Sequence, residues 1–433
     1  MGDYCQNYEE YYDSFMKLLI ATGMFPPDVG GPATYSQTIA EEFSKRGHNI
    51  TIVTYGDNII SNFPSLDSSR VGRGGQFPIS KQVSSSSPRS SESGAGKFQI
   101  QSVSRKLPKG IRHLAYFWQV LKQGLHTDII YAQDAVSAGF PAALAALLLR
   151  KPFFLKIVGD HAWEQGQQRF GVVDTLDEFL AKRYGARVGF LRMVEKFTAR
   201  RAKRIIVPSA YLKSVVERWG ISVEHIAIIA NAVLLPKTIP AKEEARRALG
   251  LDGFLLVTAG RLVPWKGFSM LVELIPKLVE VIPKAKLVIV GDGPERQQLE
   301  LRIRSASWRN ESRDIVLLTG SVSKDKLAVY LAAADIFLLN TGYEGFSHQL
   351  IEAMSMGIPV VTTNAGGNKE VVRDGENALV AEYNNLESWK EKILRLYEDQ
   401  ELRRVLSQSN KDITQRYSVE NMIQKIENLL LTT

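Results

Sequence analysis

Cysteine is almost missing from this chain: Cys5 stands alone among 433 residues. No disulfide can form within the chain and no thiolate cluster can hold zinc, so a reducing compartment fits. There is no C-x-x-C pair and no H-E-x-x-H. Long apolar runs are also lacking. The longest, Ala135 to Leu149, is interrupted by Ser137, Gly139 and Pro141 and is shorter than the roughly 20 residues of a membrane-spanning helix, so it reads as a buried core helix. The first residues are acidic and tyrosine-rich (Tyr4, Tyr8, Glu9, Glu10, Tyr11, Tyr12), unlike the basic and apolar start of a signal peptide. A cytoplasmic protein is the expectation.

What is present is material for two cores. The length exceeds what one hydrophobic core organises. A flexible extension is expected over 1–15. Lys17 to Thr22 reads as a strand, a helix runs from about Ala33 to Lys45, and Asn49 to Thr54 is a second strand; this βαβ order implies a parallel sheet. From 60 to 97 the pattern dissolves into Ser, Gly, Pro and Arg, including the run Ser84 to Ser87, which reads as a mobile insertion. Strands resume at Phe98 to Val103, Ile129 to Tyr131, Phe153 to Val158 and Arg204 to Val207. Pro236 and Pro240 mark a boundary, so a first domain spans 16–235 and a second 236–415. The second repeats the theme with strands at Phe254 to Thr258, Lys286 to Val290, Ile315 to Leu318, Ile336 to Leu339, Pro359 to Thr362 and Ala378 to Val380. An amphipathic helix closes the chain within 416–433. The fold class is α/β, with two doubly wound Rossmann-like domains.

Ligands of such sheets bind at the carboxyl ends of the strands. In the second half, Gly260-Arg-Leu-Val-Pro-Trp-Lys-Gly267 follows a strand and precedes a helix, and its guanidinium and ammonium groups are suited to clamping a diphosphate. After the strand ending near Asn340, a glycine-flanked turn carries Glu344, and a helix begins around Ser347. Free N–H groups at that start favour an anion. Glu344 and Glu352 beside a phosphate site make sense where they address neutral sugar and ribose diols.

With Arg261 and Lys266, the E-x7-E pair Glu344/Glu352 closely resembles the retaining family-4 glycosyltransferases of GT-B fold. Further matching segments are Gly30-Gly31, Val207-Pro-Ser209, Ile229-Ala-Asn231, Gly291-Asp-Gly-Pro294, Thr319-Gly320, and Pro359 to Gly367 with Glu370. The resemblance implies two domains facing across a cleft and a hexose moved from a UDP- or GDP-sugar to a hydroxyl of a glycan or lipid-linked acceptor, without a metal or other cofactor. It assigns the donor diphosphate to Arg261 and Lys266, the hexose to Glu344, the ribose to Glu352 and the base to Val322. Backbone N–H groups of Gly345, Phe346 and Ser347 would support sugar and phosphate, and Gly30 and Gly31 would let a first-domain loop approach the phosphates. It also implies that the last helix crosses back to the first domain. Where relatives carry a catalytic histidine this chain has Val158, leaving Asp160 or His161 as candidates for that function.

Two rivals fail on spacing. Gly291-Asp-Gly293-Pro-Glu-Arg296 has Arg where a dinucleotide fingerprint needs its third glycine, and no two aspartates lie two residues apart as a D-x-D manganese site requires. A catalytically degenerate relative that binds nucleotide sugar without transferring it is the other reading. The net charge of +8 suits an anionic partner. Arg105, Lys106, Lys109 and Arg112, with the basic stretch Lys182 to Arg204 and its interleaved Phe179, Leu180, Phe190, Leu191 and Phe197, suggest peripheral contact with an anionic membrane, at its inner face. Nucleic acid is not among the expected partners.

Overall fold

The computed structural model describes residues 15–28, 30–57, 98–305, 315–410 and 413–432. The serine-rich stretch 60–97 and residues 1–14 of the expected extension lie outside them.

Short β-branched and leucine-rich runs form central strands buried on both faces, as parallel sheets under two helix layers require, while the edge strands are partly exposed. The first sheet contains β1 (Lys17–Ala21), β2 (Asn49–Tyr55), β3 (Gln99–Val103), β4 (Ile129–Ala132), β5 (Phe153–Lys156), β6 (Arg204–Val207) and β7 (Ile226–Ile228). The second contains β8 (Phe254–Ala259), β9 (Ala285–Val290), β10 (Val316–Gly320), β11 (Ile336–Leu339), β12 (Val360–Thr362) and β13 (Leu379–Val380). The strand orders are β3-β2-β1-β4-β5-β6-β7 and β10-β9-β8-β11-β12-β13, and every pairing is parallel. Each order reverses once, between β1 and β4 and between β8 and β11. Those are the switch points where open parallel sheets leave a crevice for ligands. The loops after β1, β4, β8 and β11 are therefore the ones that matter.

Two boundaries differ clearly from the sequence expectation, each for a local reason, and one strand was not expected. The helix expected from Ala135 begins at Gly139, because the Asp134 carboxylate accepts hydrogen bonds from the Val136 and Ala138 amides and holds 134–138 as a turn. The strand expected to reach Val158 ends at Lys156, since Asp160 caps the next helix, His161–Arg169. The short β7 had no signal beyond three residues.

The domains touch through specific contacts. Ser209 Oγ donates to the Gly345 carbonyl at 2.7 Å, and the Glu370 carboxylate accepts from the Ala210 and Tyr211 amides, both at 2.9 Å. Trp163 of the first domain packs against Trp265 and Tyr343 of the second, with ring centroids 4.9 and 4.8 Å apart. The final helix, Val419–Leu431, buries Met422, Ile423, Ile426 and Leu430 in the first domain's core with Phe43 and Ile50. His48 Nε2 lies 2.7 Å from Glu427 Oε1, and Arg46 pairs with Glu420 and Glu427. The two connections between domains are joined by a bond from Val233 N to the Tyr417 carbonyl, 2.9 Å.

Candidate active site at the interdomain cleft

The loop after β8 turns sharply at Gly260, whose φ of +153° is open to glycine. A Cβ there would lie 3.1 Å from Lys266 Nζ, so the missing side chain leaves room for that lysine to fold back. Lys266 Nζ sits 2.9 Å from Glu344 Oε1, both side chains about one-tenth exposed (11% and 10%). That oxygen makes no hydrogen bond of ordinary geometry, so capacity remains for a sugar hydroxyl. The two loops are bolted together by Asn340, at the end of β11, which donates to the Gly267 carbonyl at 2.9 Å and to Asn384 Oδ1 at 2.8 Å. Gly342 N donates to the Trp265 carbonyl at 2.7 Å. Arg261 reaches across the cleft, its Nη2 3.3 Å from Gln168 Oε1 of the first domain.

Beyond Glu344 the chain enters the helix His348–Ser355, capped by Ser347 Oγ accepting from the Leu350 amide. The amides of Gly345, Phe346 and Ser347 precede the first intrahelical bonds. Gly345 is a close approach: a Cβ would lie 2.5 Å from the Val158 carbonyl and 2.7 Å from a Leu212 methyl. His348 Nε2 lies 3.1 Å from Asn231 Nδ2, and burial, assisted by the charges of Lys324, Lys156 and Lys266, pushes the imidazole down to about 4. Glu352 is pushed up to about 7 by burial, with Lys324 acting the other way. Val322 is partly buried against the apolar cluster around Leu350 and Phe337.

The first domain departs from the sequence reading at Asp160. Its carboxylate is fully buried and spent on structure: one oxygen accepts from the Trp163 amide at 2.8 Å and the other from the Trp219 indole at 3.1 Å. It is a helix cap, not a group facing substrate. His161 lines an open cavity, and burial lowers its pKa. Glu164, one turn further, lines the same cavity and is pushed up to about 7, chiefly by burial and against the pull of Arg261. Val158 is surface-accessible and also faces the cavity. Gly31 opens the helix Gly31–Lys45 toward the second domain; a Cβ would meet nothing nearer than the His348 ring at 4.0 Å. At Gly30 it would meet the Met24 methyl at 3.3 Å.

That cavity, about 1200 Å³, lies wholly within the first domain at its switch point, lined by the loops after β1, β4 and β5 and by the helices Lys109–Gly124, Gly139–Leu149, His161–Arg169 and Ala186–Arg201. Arg261, Lys266, Glu344 and Glu352 lie outside its lining. Glu164, Gln168 and His348 had no assigned role in the sequence. His348 directly follows Ser347, the nearest thing to a signal for it, whereas the partners of Glu164 and Gln168 come from the other domain.

Residues 241–413 match the family model of glycosyl transferases group 1, and residues 30–232 match that of the glycosyl transferase 4-like domain. An uncharacterised glycosyltransferase of Methanocaldococcus jannaschii is 24% identical over 424 residues, covering 96% of this chain and 97% of the relative. A 2-deoxystreptamine N-acetyl-D-glucosaminyltransferase of Niallia circulans is 35% identical over 121 residues, a match spanning only 28% of this chain and 30% of that relative. The crystal structure of Anabaena Alr3699/HepE in complex with UDP and glucose superposes with a TM-score of 0.72 at 21% identity, covering 96% of this chain and all of that one.

Proposed function

Because the chain belongs to the glycosyltransferases that join a type-4-like domain to a group 1 domain, we propose that it transfers a hexose from a UDP- or GDP-sugar with retention of anomeric configuration. The observation that carries this is the Lys266–Glu344 pair at 2.9 Å, which sets an ammonium and a carboxylate side by side at the second sheet's switch point. Lys266 and Arg261 neutralise the diphosphate as charge develops on it. Glu344 accepts hydrogen bonds from hexose hydroxyls, and Glu352 from the ribose diol. Val322 packs beside the base.

In the reaction the bond from the anomeric carbon to the diphosphate breaks, and the acceptor oxygen bonds to the same face. The acceptor's proton passes to the departing phosphate oxygen, so no strong protein base is needed. These cations do the work a metal ion would do on the leaving group, so transfer is expected to be metal-independent.

The test is turnover across a panel of UDP- and GDP-sugars, with Glu344→Ala as control and product configuration read by NMR. A retained anomer, formed equally in EDTA and lost in the variant, supports the reading. Binding without turnover would identify a degenerate donor-binding protein instead, and an inverted product would remove retention.

A further inference from the structure

The helix Lys109–Gly124 is apolar on two sides. Tyr116 and Val120 face the core, while Ile111, Leu114 and Trp118, spaced along the opposite stripe, are 57%, 58% and 58% exposed. A helix of a water-soluble surface carries polar groups there. The neighbouring helices Gly139–Leu149 and Ala186–Arg201 continue the face with Leu147, Leu148, Phe190 and Met193, all about half exposed or more. Part of the sequence expectation is corrected here: Phe179 is buried, stacked on Tyr184 and covered by the Arg192 guanidinium, and Phe197 packs on Phe140. The exposed apolar groups come from three helices, not from the basic stretch alone.

Charge around this face is of one sign. The three helices hold a single carboxylate, Glu195, which is buried and accepts from the His161 and Ala162 amides. Lys109, Arg112 and Lys122 share their helix with no carboxylate, and Arg187, Arg200 and Arg201 share theirs only with the buried Glu195. The cavity opens between the same helices. Leu114, Phe117, Phe140, Leu144, Phe190 and Leu191 line it together with Lys109, Arg112 and Arg169. The Arg112 Nε is buried and has no hydrogen-bond partner. Asp134 and Glu164 also line the space, but Asp134 is engaged by backbone amides.

We propose that face and cavity form one site for a membrane-resident acceptor, a lipid with a phosphate-bearing head and a hydrocarbon tail. The exposed stripe seats on an anionic bilayer, the tail lies against the aromatic and leucine lining, and Lys109, Arg112 and Arg169 hold the phosphate. An apolar stripe bordered by cations is what interfacial helices use. A soluble glycan would instead call for a polar lining. No helix among the described residues is long and apolar enough to cross a membrane; the attachment proposed is by this surface. The inference rests on the transferase reading for the word acceptor, but not for binding.

Flotation of the full chain with phosphatidylcholine vesicles, with and without phosphatidylglycerol, tests the face. Binding is expected only with the anionic lipid, weakened by salt, and reduced at least ~10-fold by the double variant Ile111→Glu/Trp118→Glu. Both positions are exposed, so melting temperature and nucleotide binding should stay unchanged. Dodecyl phosphate below its micelle concentration tests the cavity by calorimetry. It should bind, butyl phosphate should bind at least ~10-fold more weakly, and Arg112→Gln should weaken dodecyl phosphate binding several-fold. Indifference to lipid charge, full binding by the double variant, or equal binding of the two phosphates would overturn the proposal. Nucleotide binding and donor turnover, measured in parallel, separate its failure from that of the transferase reading.

Discussion

The two sheets reverse their strand order in the same way, yet the crevices this creates are furnished in opposite styles. In the second domain the loops after β8 and β11 are locked by Asn340, and they present a paired ammonium and carboxylate in a nearly closed setting. In the first domain the loops after β1 and β4 border a roomy, largely apolar cavity whose lining also carries Lys109, Arg112 and Arg169. A rigid polar site suits a ligand of fixed geometry with many hydroxyls and phosphates. An open greasy one suits a ligand recognised mainly by bulk. A shared topology thus determines where binding occurs, and loop chemistry determines what binds.

The largest effect is expected at the rigid side. Lys266→Ala should lower kcat/KM for donor about 10²–10³-fold whatever the acceptor, measured by initial rates. A loss that depended on the acceptor would move Lys266 to the other crevice. Next in size is Trp163→Ala, which empties the aromatic junction where the two crevices meet. It should destabilise the protein by about 3–5 kcal/mol in chemical denaturation, and a loss under 1 kcal/mol would show that the junction bears no load.

A subtler effect comes from Glu352. Its folded pKa, pushed up to about 7 from an ordinary 4.5, means that the ligand-free protein keeps a proton the unfolded chain releases. Stability therefore falls as pH rises through that window and is level above it. Glu352→Gln should raise the melting temperature at pH 8 by a few degrees and leave it unchanged near pH 4; equal shifts at both would refute the assignment. Smallest of all is Tyr343→Phe. The buried hydroxyl has no hydrogen-bond partner, so its removal should change stability by less than about 1 kcal/mol.

Strands were legible wherever a short apolar run ended in glycine or a turn residue: Ile336–Leu339 and Arg204–Val207 are where the pattern puts them. The helix start at Gly139 was hidden because one carboxylate, Asp134, reshapes a stretch that is apolar and helix-like throughout. At the site, Lys266 and Glu344 lie on loops that strand-end reasoning singles out. Asp160 shows the opposite case: a polar residue after a strand carries the same letter whether it caps a helix or faces substrate, and only Trp219, from a distant helix end, decides between them. Glu164 was illegible for a similar reason. Its burial and its Arg261 neighbour arise between elements far apart in sequence, which no periodicity records.

The closing helix has a consequence for how the molecule is made. A ribosome releases residues 419–431 after both sheets, yet they complete the core built around β1 and β2, which emerged long before them. Until those residues emerge, Phe43 and Ile50 lack their cover, and the His48–Glu427 pair cannot form. The first domain is thus finished only after the second has been made, so a nascent chain stalled before residue 419 would carry a formed second domain beside an incomplete first one.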